Sequence, residues 1–210
     1  MIKNRRILVL APHTDDGEFG CGGTISKLLE ENEVFYVAFS ACQKSVLPPH
    51  DADVLKKEVV TATAVLGIKK ENLTLLDYDV RTFSYRRQDI LDDILRLRKD
   101  VEPDIVFMPT QNDIHQDHFT ITNEGMRAFK FSSILCYELP WNNFSFNTSC
   151  FIPLEQKHLD VKCEALSAYN SQSHRPYANH DFIKSLAKVR GVQSGHPFAE
   201  AFELVRWIID

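Results

Sequence analysis

The chain has 210 residues, 44% of them apolar and 25% charged, a balance that sustains a folded core and excludes wholesale disorder. Its formal net charge is −5, so the basic face that neutralises nucleic-acid phosphates is not expected. The five cysteines are odd in number, widely spaced and free of any CxxC pair, which points to reduced thiols in a cytoplasmic protein rather than a disulfide framework or a thiolate zinc site.

The first apolar run, Ile7–Ala11, stops at Pro12 and reads as a strand buried on both faces. It is too short for a signal sequence or a membrane span, and no other segment approaches a span. Three glycines, Gly20, Gly22 and Gly23, follow as a turn, and a helix is predicted over Thr24–Glu31. Val34–Ser40 is rich in β-branched and aromatic residues and predicts a second strand. Over Asp51–Leu66 the residues Leu55, Val59, Ala62 and Leu66 share one helical face, closed by Gly67. Leu73–Leu76 predicts a short strand, Ile90 to Val101 a helix ended by Pro103, and Asp104–Met108 a buried strand. Phe119–Phe131 reads as helical and Ile134–Tyr137 as extended. Beyond that, Leu159, Cys163 and Leu166 fit one helix face, 170–179 reads as a polar loop and Ala201–Ile208 as a last strand. Alternating strands and helices predict a single domain over 1–210: a doubly wound, mostly parallel, Rossmann-like α/β sheet with helices on both faces.

In such a sheet ligands bind beyond the carboxyl ends of the strands. Two unusual stretches fall there. PHTDDGE (12–18) follows the first strand, and DIHQDH (113–118) follows the strand at 104–108. His13 and Asp16 stand three apart, as do His115 and His118, a spacing that lets each pair offer two ligands from one turn. Asp and His in loops also cap helices and form turns, the blander reading of either stretch taken alone. Asp15, Asp16, Glu18, Asp113 and Asp117 repel one another if they share a cleft, and a bound dication relieves that repulsion. His/carboxylate ligation suits zinc, and iron, manganese or cobalt as well. The glycines at 20–23 are out of phase with a dinucleotide fingerprint, and no P-loop lysine follows. There is no GxSxG elbow, and Cys42 has no evident partner for nucleophilic catalysis.

These motifs resemble the LmbE-like deacetylase family, which includes the N-acetylglucosaminyl-phosphatidylinositol de-N-acetylases. PHTDDGE looks like its first motif and HQDH (115–118) its second. GCGGT (20–24), KKEVVTATAVLG, KCEALSAYNSQ and AEAF (199–202) are similar flanks. The resemblance implies that His13, Asp16 and His118 hold zinc and that Asp15 is the general base. His115 would stabilise the oxyanion or protonate the leaving amine, and Asp117 would fix a histidine tautomer from behind. Asp79 falls where the family places a sugar-binding carboxylate. Arg190 and His196 near AEAF are candidate pocket residues, and His174, Arg175 and His180 lie in a polar loop that could cover the site. The implied reaction is removal of an N-acetyl group from an amino sugar, sugar nucleotide or sugar conjugate, and a homo-oligomer is compatible with the family. Gln116 replaces the usual proline, and SACQKSVLPP lacks the Gly-Glu loop of the thiol-sugar members, so their substrates are not expected. The competing expectation is a non-catalytic sugar- or metal-binding module on the same fold.

Overall fold

The computed structural model describes residues 2–209. Seven strands form one sheet: β1 Arg6–His13, β2 Glu33–Ser40, β3 Leu73–Leu75, β4 Ile105–Pro109, β5 Ser133–Tyr137, β6 Cys150–Leu154 and β7 Phe198–Arg206. Their order is β3-β2-β1-β4-β5-β7-β6. The first five are parallel, and β7 runs antiparallel between β5 and β6. The mostly parallel α/β sheet expected from the alternation is therefore present.

Strand β1 shows why its sequence is apolar throughout. Ile7, Val9 and Ala11 belong to the core on one face, Leu8 and Leu10 to the core on the other. Helices α1 (Asp16–Leu28), α2 (Val54–Leu66) and α5 (Gln156–Ser167) pack together, as do α3 (Arg87–Val101) and α4 (Gln116–Ala128). Helix α6 (His180–Ser194) lies on β6 and β7. Gly67 closes α2 in the left-handed region, at φ 95°, as its position predicted.

Three elements depart from the sequence reading. Helix α1 begins at Asp16, not Thr24, and takes in the glycines that read as a turn. Glycine is costly within a helix, but here close approach decides: a Cβ on Gly20 would fall 2.2 Å from the Tyr137 ring, and one on Gly23 2.5 Å from Leu154. Strand β6 was hidden by Pro153, which interrupts a strand pattern. It pairs only with β7, so it is an edge strand, where a missing N–H is tolerated. Helix α6 was missed because its buried face is thin, only Ile183, Ala187 and Gly191.

Gly20→Ala is expected to lower stability by about 1–3 kcal/mol through overpacking. The urea midpoint reads this directly, and an unchanged midpoint would show that the Tyr137 contact gives way freely.

Candidate metal centre and cleft

Strand order reverses between β1 and β4, the switch point of the sheet. Both motifs leave the sheet there: His13 ends β1, and His115 to His118 open α4 after β4. They line a cavity of about 350 Å³ together with Thr14, Asp15, Asp16, Cys42, Arg81, Trp141, Gln172, Arg175 and Tyr177.

Three polar atoms converge in its floor. His13 Nδ1 lies 3.1 Å from Asp16 Oδ2 and 3.1 Å from His118 Nε2, and His118 Nε2 lies 3.2 Å from Asp16 Oδ2. The far nitrogen of each imidazole is engaged by a carboxylate: His13 Nε2 by Asp117 at 3.1 Å, His118 Nδ1 by Asp113 at 2.7 Å. A ring that donates to a carboxylate behind it presents a lone pair in front. With both rings neutral, two imidazole lone pairs and a carboxylate oxygen face one point. Atoms so spaced can all stand about 2.0–2.2 Å from one ion, with a fourth position open. The donor set fits a divalent transition metal. His115 also offers a ring nitrogen within 4.8 Å of the other two histidines, but its Nδ1 accepts the Asp117 N–H at 3.2 Å. The His13–Asp16–His118 triangle is the tighter of the two groupings.

The electrostatics report the same demand for positive charge. Burial opposes charging of His118, yet Asp16 and Asp113 outweigh it and raise the imidazole to about 10. Burial would raise Asp16, but His118 and His13 hold its carboxyl well below the usual range. Burial and the neighbouring Asp16 push Asp15 up to about 6. Burial, His118 and His13 push His115 down to about 4.

The turn carrying these residues is pinned from inside. Glu18 is fully buried, and burial lifts its carboxyl to about 8. The hydroxyls of Tyr36 and Tyr169 both reach Glu18 and both reach the Thr14 carbonyl. Two hydroxyl protons cannot serve four such contacts, and a protonated Glu18 supplies a third. Asp15 sits at the N-cap of α1 without a side-chain cap bond and lines the cavity.

A resemblance to known proteins accompanies this geometry. The family described as PIG-L, GlcNAc-PI de-N-acetylase, matches residues 8–129, more than half of the chain.

The chain belongs to the PIG-L family.

It is 27% identical over 178 residues to the uncharacterized deacetylase YaiS of Escherichia coli K12, covering 80% of this chain and 92% of that one. Its fold is similar to that of the N,N'-diacetylchitobiose deacetylase of Pyrococcus horikoshii, with TM-score 0.79 and 23% identity over 96% of this chain and 84% of that one. The 4-carboxy-2-hydroxymuconate hydratase of Pseudomonas putida KT2440 is equally similar in fold, with TM-score 0.79 and 18% identity over 100% and 98%. The fold thus carries more than one chemistry, and the reaction must be argued from the site.

Three expected pocket residues are not brought to this cavity. Asp79 is half exposed and paired with Lys44 at 2.7 Å. Arg190 is taken by Glu138 through two bonds, 2.7 and 2.5 Å long, in a smaller neighbouring cavity. His196 is exposed beyond α6 and bonds the Ser194 carbonyl. The indole of Trp141 stacks on Tyr177 at 3.8 Å, so that face is not free for a sugar. The sequence reading assigned no role to Asp113, the partner of His118. Its place five residues before that histidine was the available signal.

Asp113→Asn is expected to weaken divalent-metal affinity by about 10–100-fold. Competition with a chelator measures this, and unchanged affinity would mean that Asp113 does not orient His118.

Proposed function

We propose that the chain is a zinc-dependent amide hydrolase that removes the N-acetyl group of an amino sugar or sugar conjugate. The observation that carries this reading is the triangle of His13, Asp16 and His118 beside Asp15 in one cleft. The family supports deacetylation, and the donor set supports zinc, with iron, manganese or cobalt as the alternatives.

A divalent cation, when bound, supplies Lewis acidity and lowers the pKa of water from about 16 toward about 7. Asp15 lines the same cleft and accepts the proton of the attacking water as its oxygen bonds the amide carbon. His115 Nδ1 accepts the Asp117 N–H, so the ring proton sits on Nε2. That N–H is the donor for the oxygen on which negative charge develops. The C–N bond breaks once nitrogen is protonated, and Asp15 returns the proton it took. A free amine and acetate leave.

A cavity of about 350 Å³ accepts a sugar ring. Arg175 lies at its wall, aligned by bonds to Gln172 Oε1 (2.6 Å) and the Tyr177 hydroxyl (2.8 Å). Its remaining N–H groups are free to meet sugar hydroxyls or an acidic substituent.

Zinc-loaded protein is expected to release acetate from N-acetyl sugars or their nucleotide-linked forms, and to stop when a chelator is added. Asp15→Ala should keep its metal and lose about 10²–10⁴-fold in kcat. Normal turnover in that variant would remove Asp15 as the base. A metal-loaded wild type silent across the panel would favour the non-catalytic binding module instead.

Arg175→Gln should raise KM by about tenfold or more, the worth of a charge-assisted hydrogen bond, with kcat little changed. A steady-state comparison showing an unaltered KM would take Arg175 out of substrate binding.

A further inference from the structure

Three segments that carry the family resemblance have no part in the chemistry above: GCGGT, KCEAL and AEAF. In the structure they meet. Helix α1 is broken at Cys21, whose φ of −148° and ψ of 23° are not helical. In an unbroken helix the Gly23 N–H would donate to the Phe19 carbonyl. Here the Gly23 N–H donates to Glu200 Oε1 at 3.1 Å and the Thr24 N–H to Glu200 Oε2 at 2.7 Å. The Phe19 carbonyl accepts from Lys162 Nζ at 2.6 Å. Lys162 and Glu200 then close on each other at 2.5 Å. Both are buried, at 5% and 6% exposure. An ion pair thus stands inside the gap of the helix and takes up the backbone groups on either side of it.

The break has a consequence for the site. The segment before it, Asp16–Gly20, carries the carboxylate that faces His13 and His118 and adjoins Asp15. Because the helix is interrupted, the rest of α1 does not by itself fix where that segment sits. Lys162 holds it from α5 and Glu200 holds the continuation from β7.

We propose that Lys162 and Glu200 are positioning residues: the pair bridging the break in α1 sets the placement of Asp15 and Asp16 relative to the two histidines. The proposal rests on the metal reading of that loop. Buried ion pairs are poor sources of net stability but strict about geometry, which suits this role. Neither side chain lines the catalytic cleft.

The test uses cobalt(II) as the probe, because its visible bands report ligand geometry without any substrate. Glu200→Gln and Lys162→Met, each checked for folding by circular dichroism and melting temperature, are titrated with cobalt beside wild type. Leu66→Ala, a core truncation near the far end of α2, is the destabilised control. The expected result is a cobalt affinity lowered by about tenfold or more, or displaced visible bands, in both variants and not in the control. Wild-type behaviour in the folded variants overturns the proposal, as does an equal loss in Leu66→Ala. If the variants do not fold, amide exchange in wild type decides. The Gly23 and Thr24 amides should be as protected as those of β1, and fast exchange overturns the proposal. Acetate release enters nowhere, so failure of the deacetylase reading is seen separately. Failure of wild type to bind cobalt would sink the metal reading, and the exchange measurement would still decide whether the pair holds the break.

Discussion

Two imidazole nitrogens and a carboxylate oxygen, all within 3.2 Å of one another, draw positive charge to the point between them, and a proton on His118, whose pKa is raised to about 10, supplies it. This demand for positive charge is the constraint around which the site is organised. It persists because each ring is committed from behind. Asp117 takes the outer nitrogen of His13 and Asp113 takes that of His118. Asp113 also accepts the His115 N–H, and Asp16 accepts the His13 N–H. Three of the carboxylates that looked from the sequence like a crowd of like charges divide into two jobs. Asp16 faces the proposed metal position, while Asp113 and Asp117 engage the rings from behind.

The sheet makes this possible by its strand order. β1 and β4 are neighbours although almost a hundred residues separate them, and the helices that follow them, α1 and α4, lie on opposite faces. The crevice between the two loops opens only at that junction. The wall away from the metal position comes from the 170–179 segment. It is tied back to α2 by Glu58, which accepts both the N–H and the hydroxyl of Ser171. The Glu58–Ser171, Glu18–Tyr169 and Lys162–Glu200 pairs each join two of the family-like segments, so those segments are largely the fastenings of one site.

Local pattern made most of the parallel half legible. The runs at 7–11, 34–40 and 104–108 mark strands buried on both faces. The spacing at 55, 59, 62 and 66 marked α2 to within a turn. What stayed hidden depended on partners far away in sequence. Glycines within α1 make sense only with Tyr137 and Leu154 in place, and Pro153 reads as a breaker until its strand is known to be at the edge. At the site, PHTDD and HQDH named the residues that converge. Resemblance alone was a weaker guide to the rim. Arg190 is neutralised by Glu138 and Asp79 by Lys44, and nothing local in the sequence announces either pairing.

Asp117 has a second client. The same Oδ2 atom that engages His13 accepts the N–H of Arg81 at 2.6 Å, and Oδ1 accepts that of Phe83. Arg81 is held at φ 70°, a left-handed backbone unusual for its type, and it lines the cleft. One carboxylate therefore links the tautomer of His13 to the conformation of the segment at the cavity mouth. On the proposed function, a sugar whose binding favours that backbone conformation raises the affinity for the ion, and by reciprocity the ion raises the affinity for the sugar by the same factor. The two proposed occupants of this cleft are thermodynamically acquainted before they touch.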